Sequence, residues 1–523
     1  MSDVEQAEAM ASTRKRSALD RIERLGNALP DPVFIFLGFI LLLVLVSIVT
    51  AATGWSAVNP TTGELLVVES LLSERNLARL LVEMPRTLTA FPPLGLVLVV
   101  MIGAAVAEQS GLFTALIGNS VKNLPRAALT PAVFIVGLLS HHAADAAYIV
   151  LIPLAALVYA EAGRHPLTGI AVAYAGISGA FAGNVIPGQF DVLMLGITEP
   201  AARMIDPDFV MNPLGNWWFT LAIGVLFTPI AWFVTDRIIE PRMGAWKADG
   251  EAAELAKMVG PLTPGQRKGL RRAGIAALLI VGLFAGLAFV PGFSPLVDEG
   301  GAGAARYTPF YRSLVAGFMM LFLATGWAYG ACAGTIRSHR DVVAMMGEGM
   351  RTMAPYLVIA FFAAHFVAMF GWSNLGPVLA INGAEQLRAT GLPMPVLLVG
   401  LLLMSSVFDL FIGSASAKWS AMAPITVPML MLLGVSPEMT TAAYRMGDSI
   451  FNIVTPLASN FPLVLVLCQR WNKDFGVGSV IAMMLPYSIA FGIAGLLLVG
   501  SWVALELPVG PGAPMSYVPV AAR

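Results

Sequence analysis

Residues 408–424 read FDLFIGSASAKWSAMAP, and the fold turns on how that stretch is placed. It interrupts an apolar segment, 396–433, long enough to cross a hydrocarbon core that needs about 20 residues of helix. A polar break inside lipid is tolerated only where the backbone is buried in protein or lines a wet cavity, because an unsatisfied polar group there is costly. The segment is therefore read as a re-entrant hairpin with Gly413, Ser414 and Ser416 at its tip. A second interrupted segment, 128–162, carries SHHAADAAY at 140–148 and is read the same way.

The two hairpins are related. A gapless offset of 271 positions lays Leu139 on Leu410, Ala144 on Ala415, Pro153 on Pro424 and Gly163 on Gly434. The same offset lays Pro166 on Pro437, Gly176 on Gly447 and Ser178 on Ser449, and sets Tyr148 against Trp419. Gly and Ala coincide cheaply in such a composition; paired prolines and glycines in one window do not. Working outward, apolar spans are expected at 33–53, 93–118, 167–197, 217–235, 273–291, 310–333, 353–372, 441–467 and 478–506. The expected fold is thus an all-α polytopic membrane protein of nine transmembrane helices plus two opposed re-entrant hairpins, with an inverted two-fold repeat.

Composition agrees: 57% of the 523 residues are hydrophobic and 12% charged, about half the charge of a soluble domain at roughly 25%. Basic residues near spans are retained in the cytoplasm. If the hairpins return to the side they entered from, most of the Lys and Arg (Arg14, Lys15, Arg16, Lys122 and Arg164, the 236–272 segment, Arg337, Arg470) fall on one side. This predicts a cytoplasmic N-terminus and a periplasmic C-terminus in a bacterial inner membrane. The expected organisation is a cytoplasmic segment 1–32, a first repeat 33–235, a basic linker and connecting helix 236–291, a second repeat 310–506 and a tail 507–523. The linker's middle, GEAAELAKMVG at 250–260, reads as helix-prone. LLSERNLARLLVEMPRTL at 71–88 places apolar residues at helical spacing, and reads either as an outer interfacial helix or as a dimer contact. The two cysteines, Cys332 and Cys468, imply no disulfide framework.

Chemistry is expected at four breaks. In the first, Asp145 is a carboxylate at membrane depth, a usual mark of an ion or proton path; His141 and His142 are adjacent, share no helix face and have no third ligand at metal spacing. The second, GAFAGNVIPGQFD at 179–191, holds Pro187, which frees upstream carbonyls, and Asn184, a hard oxygen donor suited to sodium. Asp191 reads either as part of that site or as a helix-terminal acid. The third is the 408–424 tip, where Ser416 and its neighbours let a helix N-terminus face an anion, Trp419 offers an aromatic face, and Lys418 either snorkels or pairs with Asp409. The fourth, YRMGDSIFNIVTPLASN at 444–460, sets Arg445 and Asp448 three apart, on one helix face where they can pair, close to Asn452, Thr455 and Pro456. No Walker loop, dinucleotide fingerprint, metalloprotease motif or nucleophile constellation is present, which argues against an ATP-driven pump and against an enzyme.

With ADAAYIVLIPLAALVYAEAGRHPLTGI at 144–170, the Asn184–Asp191 break, SAKWSAMAPITVPML at 416–430 and YRMGDSIFNIVTPL at 444–457, the chain resembles the p-aminobenzoyl-glutamate transporter (AbgT) family of the ion transporter superfamily, from about residue 20 to 505. The resemblance implies a homodimer, an outer scaffold around an inner transport region, and an elevator-like movement of the hairpins. It also implies either uptake of p-aminobenzoyl-glutamate or export of sulfonamide antimetabolites, coupled to sodium or protons. Asp191, Ser416, Trp419, Pro437, Arg445, Asp448 and Pro456 match the family's functional positions. Arg445 would hold a glutamyl carboxylate and Trp419 would stack on the aminobenzoyl ring. The coupling cation would be served by Asn184, Asp448, Asn452 and Asp145. One departure is DVLMLGIT at 191–198, where DPLLAGIT is expected.

The partners expected are a small-molecule substrate, a coupling cation, the lipid bilayer and a second copy of the chain; neither nucleic acid nor a cofactor beyond a bound sodium ion is expected. Alternatives from other classes are an ion channel, since split helices also build selectivity filters, a carrier of a different small carboxylate, and an intramembrane enzyme.

Overall fold

The computed structural model describes residues 32–518 except 60–62, 122–124, 141–144, 245, 247–261, 291, 301–305, 410–411, 457 and 459. The helix-prone stretch read at 250–260 lies outside the described residues, as do His141 and His142.

The chain is mainly helical. Its first part runs α1 (Pro32–Ala52), β1 (Ser56–Val58), β2 (Leu65–Val67), α2 (Glu74–Val82), α3 (Met84–Thr89), α4 (Pro92–Gln109), α5 (Leu112–Val121), α6 (Arg126–Ser140), α7 (Asp145–Glu161), α8 (Pro166–Tyr174), α9 (Gln189–Ala202) and α10 (Trp217–Val234). A second set follows: α11 (Pro264–Phe289), α12 (Thr308–Ala333), α13 (His339–Thr352), α14 (Ala354–Trp372), α15 (Leu375–Ala389), α16 (Met394–Asp409), α17 (Ala415–Leu432), α18 (Pro437–Phe451), α19 (Phe461–Gln469) and α20 (Val477–Ala504).

Five helices are long and apolar enough to cross a bilayer among the described residues: 33–52, 217–243, 264–289, 308–333 and 477–504. Three of the other four expected spans are broken. The 93–118 span divides into α4 and α5 at Gly111, whose φ of +84° is left-handed; only glycine adopts that conformation at little cost. The 353–372 span is α14, which bends by 50° from the amphipathic α13. The spans at 167–197 and 441–467 each consist of two helices around an irregular middle. A small antiparallel hairpin, β1 with β2, pairs Ser56 with Val67 and departs from the all-α expectation.

Each apolar segment read as a hairpin divides into two helices: α6 and α7, and α16 and α17. Their downstream elements keep the sequence offset. Gly163 and Gly434 both have left-handed φ, 71° and 89°, and α8 and α18 start at Pro166 and Pro437. Proline at a first helical position loses nothing, because its missing N–H would have had no intrahelical partner. The preceding residues act as caps: His165 Nδ1 accepts from Leu167 N, and Ser436 Oγ from Met439 N.

Beside smaller clusters, one of them joining α4 to α13 and α14 around Val97, Met101 and Ala104, two large apolar cores divide the described residues. One gathers buried residues of α6–α10 with those of α16–α20, Phe134, Tyr174, Phe227, Trp419, Tyr444 and Phe491 among them. The other joins α1, α14 and α15 through residues such as Phe36, Phe366 and Val378. Small residues bring the frame helices close: a Cβ on Gly326 would lie 2.6 Å from the Ala107 Cα, and one on Gly103 2.1 Å from the Met319 carbonyl. Outward faces are apolar where lipid is expected, with Leu278 and Leu279 of α11 74% and 68% exposed. Leu81 and Val82 of α2 are also exposed, as either an interfacial helix or a dimer contact requires.

The closest approach in the first core is between α16 and α18, where a Cβ on Gly447 would sit 2.2 Å from the Leu402 carbonyl oxygen. That neighbour is backbone and can move only with its helix. Gly447→Ala is expected to cost about 1–3 kcal/mol through overpacking, read as a lower midpoint of thermal unfolding in detergent. An unchanged midpoint would mean that the two helices do not touch at this point.

Candidate functional site

The two broken spans and the second hairpin converge inside the first core. The upstream helical path ends at Gly179, and in the 180–188 break that follows the backbone finds partners elsewhere: Asn184 N donates to the Thr220 carbonyl at 3.1 Å. Helix α9 then restarts, with Asp191 Oδ2 accepting from Gly188 N at 2.8 Å and from Asn184 Nδ2 at 2.5 Å. Its other oxygen takes Arg445 Nη1 at 2.7 Å, the two side chains being 5% and 1% exposed. Asp191 is therefore both the helix-terminal acid and a member of the site. The Arg445 guanidinium lies 5.0 Å from the centroid of the Phe190 ring. Its Nε and Nη2 are buried and have no hydrogen-bond partner among the described residues, and neither has Asn184 Oδ1.

A second buried charge cluster also includes a residue of α18, Asp448. Lys418 Nζ is 2.6 Å from Asp409 Oδ1 and 2.6 Å from Asp448 Oδ1. Tyr444 closes the hairpin tip onto α18 by donating its hydroxyl to the Ala415 carbonyl at 2.6 Å. Trp419 stacks on the Tyr444 ring, centroids 4.2 Å apart, and its Nε1 donates to Thr198 Oγ1 at 2.9 Å. Thr198 and Thr441 share a hydrogen bond of 2.9 Å, and Thr441 donates to the Pro437 carbonyl at 2.7 Å. Pro437 thus belongs to the chain of contacts that holds the tryptophan.

Two expectations need correction. Arg445 and Asp448 share a helix face but do not pair; the packing of other elements against α18 brings each a separate buried partner at ion-pair distance, Asp191 of α9 at 2.7 Å from Arg445 and Lys418 of α17 at 2.6 Å from Asp448. Trp419 is fully buried with Tyr444 against its ring, so in this conformation it presents no free face for stacking an aromatic substrate. The pairing of Lys418 with Asp409, one of the two alternatives read for it, is present. Ser416 is half-buried at the tip, 3.4 Å from the Ser414 hydroxyl. The Asn452 carbonyl accepts from Tyr174 at 3.4 Å, and Pro456 is half-buried in the break. Asp145 is the first residue of α7; its side chain lies outside the described residues. No group of three His, Cys, Asp or Glu suited to a metal occurs among the described residues.

The seam between the first core and the helices α4 and α14 contains a cavity of about 310 Å³. Tyr148, Phe181 and Phe190 line it on one side and Val97, Met101 and Tyr356 on the other, with Gln189 and Asn460 at its polar edge. Gln189 and Tyr356 were not singled out from the sequence. A signal for the first existed: the 271-residue offset lays Gln189 on Asn460, so both breaks restart their helix with a carboxamide. Tyr356 had none, being one aromatic among many. The Gln189 Oε1 and the Tyr356 hydroxyl are both buried without a hydrogen-bond partner among the described residues.

This geometry, broken spans meeting a buried hairpin tip beside a cavity, coincides with a family-wide match. The model of the AbgT putative transporter family matches residues 17–517. The chain belongs to the AbgT family. A p-aminobenzoyl-glutamate transport protein of Escherichia coli K12 is 35% identical over 491 residues, covering 94% of this chain and 95% of that protein. Among solved structures, the YdaH transporter of Alcanivorax borkumensis superposes with a TM-score of 0.86 at 39% identity, covering 92% of this chain and all of that one. MtrF of Neisseria gonorrhoeae, from a class described as antimetabolite efflux pumps, superposes with a TM-score of 0.88 at 41% identity over 95% of this chain and all of that one. As an AbgT-family member the chain is a membrane transporter of a small-molecule substrate and not an enzyme.

Proposed function

We propose that the chain is a cation-coupled secondary transporter, driven by sodium or protons, of p-aminobenzoyl-glutamate-like aromatic anions or of sulfonamide antimetabolites. The observation that carries this reading is Arg445: anchored to Asp191 through one nitrogen, it keeps two buried N–H-bearing nitrogens without a hydrogen-bond partner among the described residues, and its guanidinium lies 5.0 Å from the ring of Phe190, which lines the cavity. A guanidinium with open donors recognises a carboxylate or sulfonyl oxygen. The aromatic wall of Phe181, Phe190 and Tyr356 suits an aryl group, and the cavity lies at the small end of ligand-site volumes, about 300–1,000 Å³.

Because the cavity takes one wall from the first core and the other from α4 and α14, a shift of the hairpin-bearing core past those helices would expose it first on one side and then on the other. That is elevator-like alternating access between two inverted halves, 33–235 and 310–506, in a homodimer of nine spans and two hairpins per subunit. The proposed placement is the inner membrane, with the N-terminus in the cytoplasm. Substrate would engage Arg445 with Asp191, Ser416 and Asp448 near it, while Trp419, Pro437 and Pro456 hold the shape of the tip and the break. Asn184, whose side-chain oxygen has no hydrogen-bond partner among the described residues, would serve a cation together with Asn452 and Asp145, whereas Asp448, already held by the Lys418 ammonium at 2.6 Å, would join them only when released from it.

Purified protein in liposomes tests this with labelled p-aminobenzoyl-glutamate and a labelled sulfonamide under separately imposed sodium and proton gradients. One of the two compounds is expected to accumulate against its gradient, saturably and in response to one of the ions. Flux that is ion-independent and non-saturable for both, or single-channel currents, would remove the carrier assignment.

A further inference from the structure

Inside the first core, two carboxylates share one ammonium. The side chains of Asp409, Lys418 and Asp448 are 1%, 0% and 3% exposed. With all three ionised, the cluster holds one uncompensated negative charge where burial makes such a charge expensive. The buried cation on the same helix, Arg445, is paired with Asp191 and does not supply the balance.

The oxygen atoms of the cluster say where the missing positive charge resides. Asp409 Oδ2 is buried and has no hydrogen-bond partner among the described residues, whereas Asp448 Oδ1 lies 3.4 Å from the Tyr444 hydroxyl, whose short hydrogen bond goes to the Ala415 carbonyl. Asp409 is the last residue of α16, against the negative end of the helix macrodipole, which disfavours a carboxylate there; Asp448 stands nearly a turn inside the end of α18. The groups facing Asp409 are Lys418 from α17, Asp448 and Tyr444 from α18, and Tyr174 from α8. On α20 the buried Tyr487 turns instead to Thr235.

We propose that Asp409 binds a proton, and that its release and uptake couple movement of the second hairpin to a proton gradient; the coupling rests on the transport reading above. A proton fits better than a metal ion. The ammonium already takes one oxygen of each carboxylate at 2.6 Å and repels a second cation, while a proton needs no coordination shell. Asp409 and Lys418 lie on opposite limbs of the hairpin and Asp448 on the broken span. When the hairpin is closed on α18, protonated Asp409, Lys418 and ionised Asp448 sum to neutrality. When it parts from α18, water hydrates Asp448, the O–H bond of Asp409 breaks, the proton passes to water, and the Lys418 and Asp409 ion pair is neutral on its own. Closure reverses the step.

Two measurements on the full-length protein test this. In the first, wild-type proteoliposomes loaded with a pH-sensitive dye receive p-aminobenzoyl-glutamate or a sulfonamide. Substrate-driven proton movement is expected in the wild type, and a fall to the level of protein-free vesicles in Asp409→Asn, whose folding is monitored by gel-filtration elution. Wild-type proton movement in that variant, or substrate-driven sodium movement without protons, overturns the proposal. The second measurement uses the wild type alone: a hydrophobic carbodiimide, which adds to protonated carboxylic acids within membranes, is followed by mass spectrometry. Label at Asp409 is expected; label at Asp448 instead, or at neither, overturns the proposal. The carbodiimide measurement needs no substrate and no variant. It therefore decides the proton site even if Asp409→Asn does not fold, or if the wild type carries neither compound and the transport reading fails.

Discussion

Detergent-purified Lys418→Met is expected to unfold at a far lower temperature than the wild type, and adding Asp448→Asn is expected to recover more than half of the loss. Removing one partner from a buried ion pair costs about 3–5 kcal/mol, because the other charge is left without compensation, and Lys418 is the only group within ion-pair reach of both Asp409 and Asp448 among the described residues. The choice of second substitution is informative. If Asp409 carries a proton, the bare charge left behind is that of Asp448, so Asp448→Asn rescues and Asp409→Asn does not. Equal rescue by either would place a full charge on both acids, and an unchanged midpoint for Lys418→Met alone would take the lysine out of the core. Methionine approximates the lysine stem in length and apolarity, so lost packing contributes little to the difference.

The sequence carried the division of each interrupted segment into two helices because two physical rules act locally there. Apolar length sets where a helix enters lipid, and a polar break inside it must turn or unwind; hence α16 ends at Asp409 and α17 begins at Ala415, around the quoted tip. The offset of 271 residues likewise anticipated that Pro166 and Pro437 both open helices. The partners of the buried charges were not legible. Spacing along one helix suggests Arg445 with Asp448, yet the partner chosen by Arg445 lies 254 positions away, and only the packing of α9 against α18 brings it near. The same limit explains the cavity. Phe190 and Tyr356 look like any membrane aromatic until the first core is set beside α4 and α14, and the buried stacking of Trp419 on Tyr444 depends on how the tip seats against α18. The β1 and β2 hairpin escaped because two three-residue strands carry too little alternation to stand out beside a long span.

Arg445→Ala is expected to abolish transport and to lower stability, and the two effects separate in a double variant. Truncation leaves Asp191, 5% exposed, without its cation and so costs about 3–5 kcal/mol as for any broken buried pair. Asp191 still accepts from Gly188 N and Asn184 Nδ2, which places the loss toward the lower part of that range. In Arg445→Ala with Asp191→Ala the stranded charge is gone, and the thermal midpoint should return most of the way, while uptake stays absent because the open Nε and Nη2 donors are absent too. Arg445→Lys sharpens the point. It keeps the charge for Asp191 but replaces a planar fork by a single ammonium, so the fold should hold while the concentration for half-maximal uptake rises by about tenfold or more, the equivalent of one lost charge-assisted hydrogen bond of roughly 1.5–3 kcal/mol. If instead Arg445→Lys transports with wild-type affinity, the guanidinium serves only to neutralise Asp191, and the anion must be held elsewhere along the seam, with the Gln189 and Asn460 edge of the cavity as the next place to substitute.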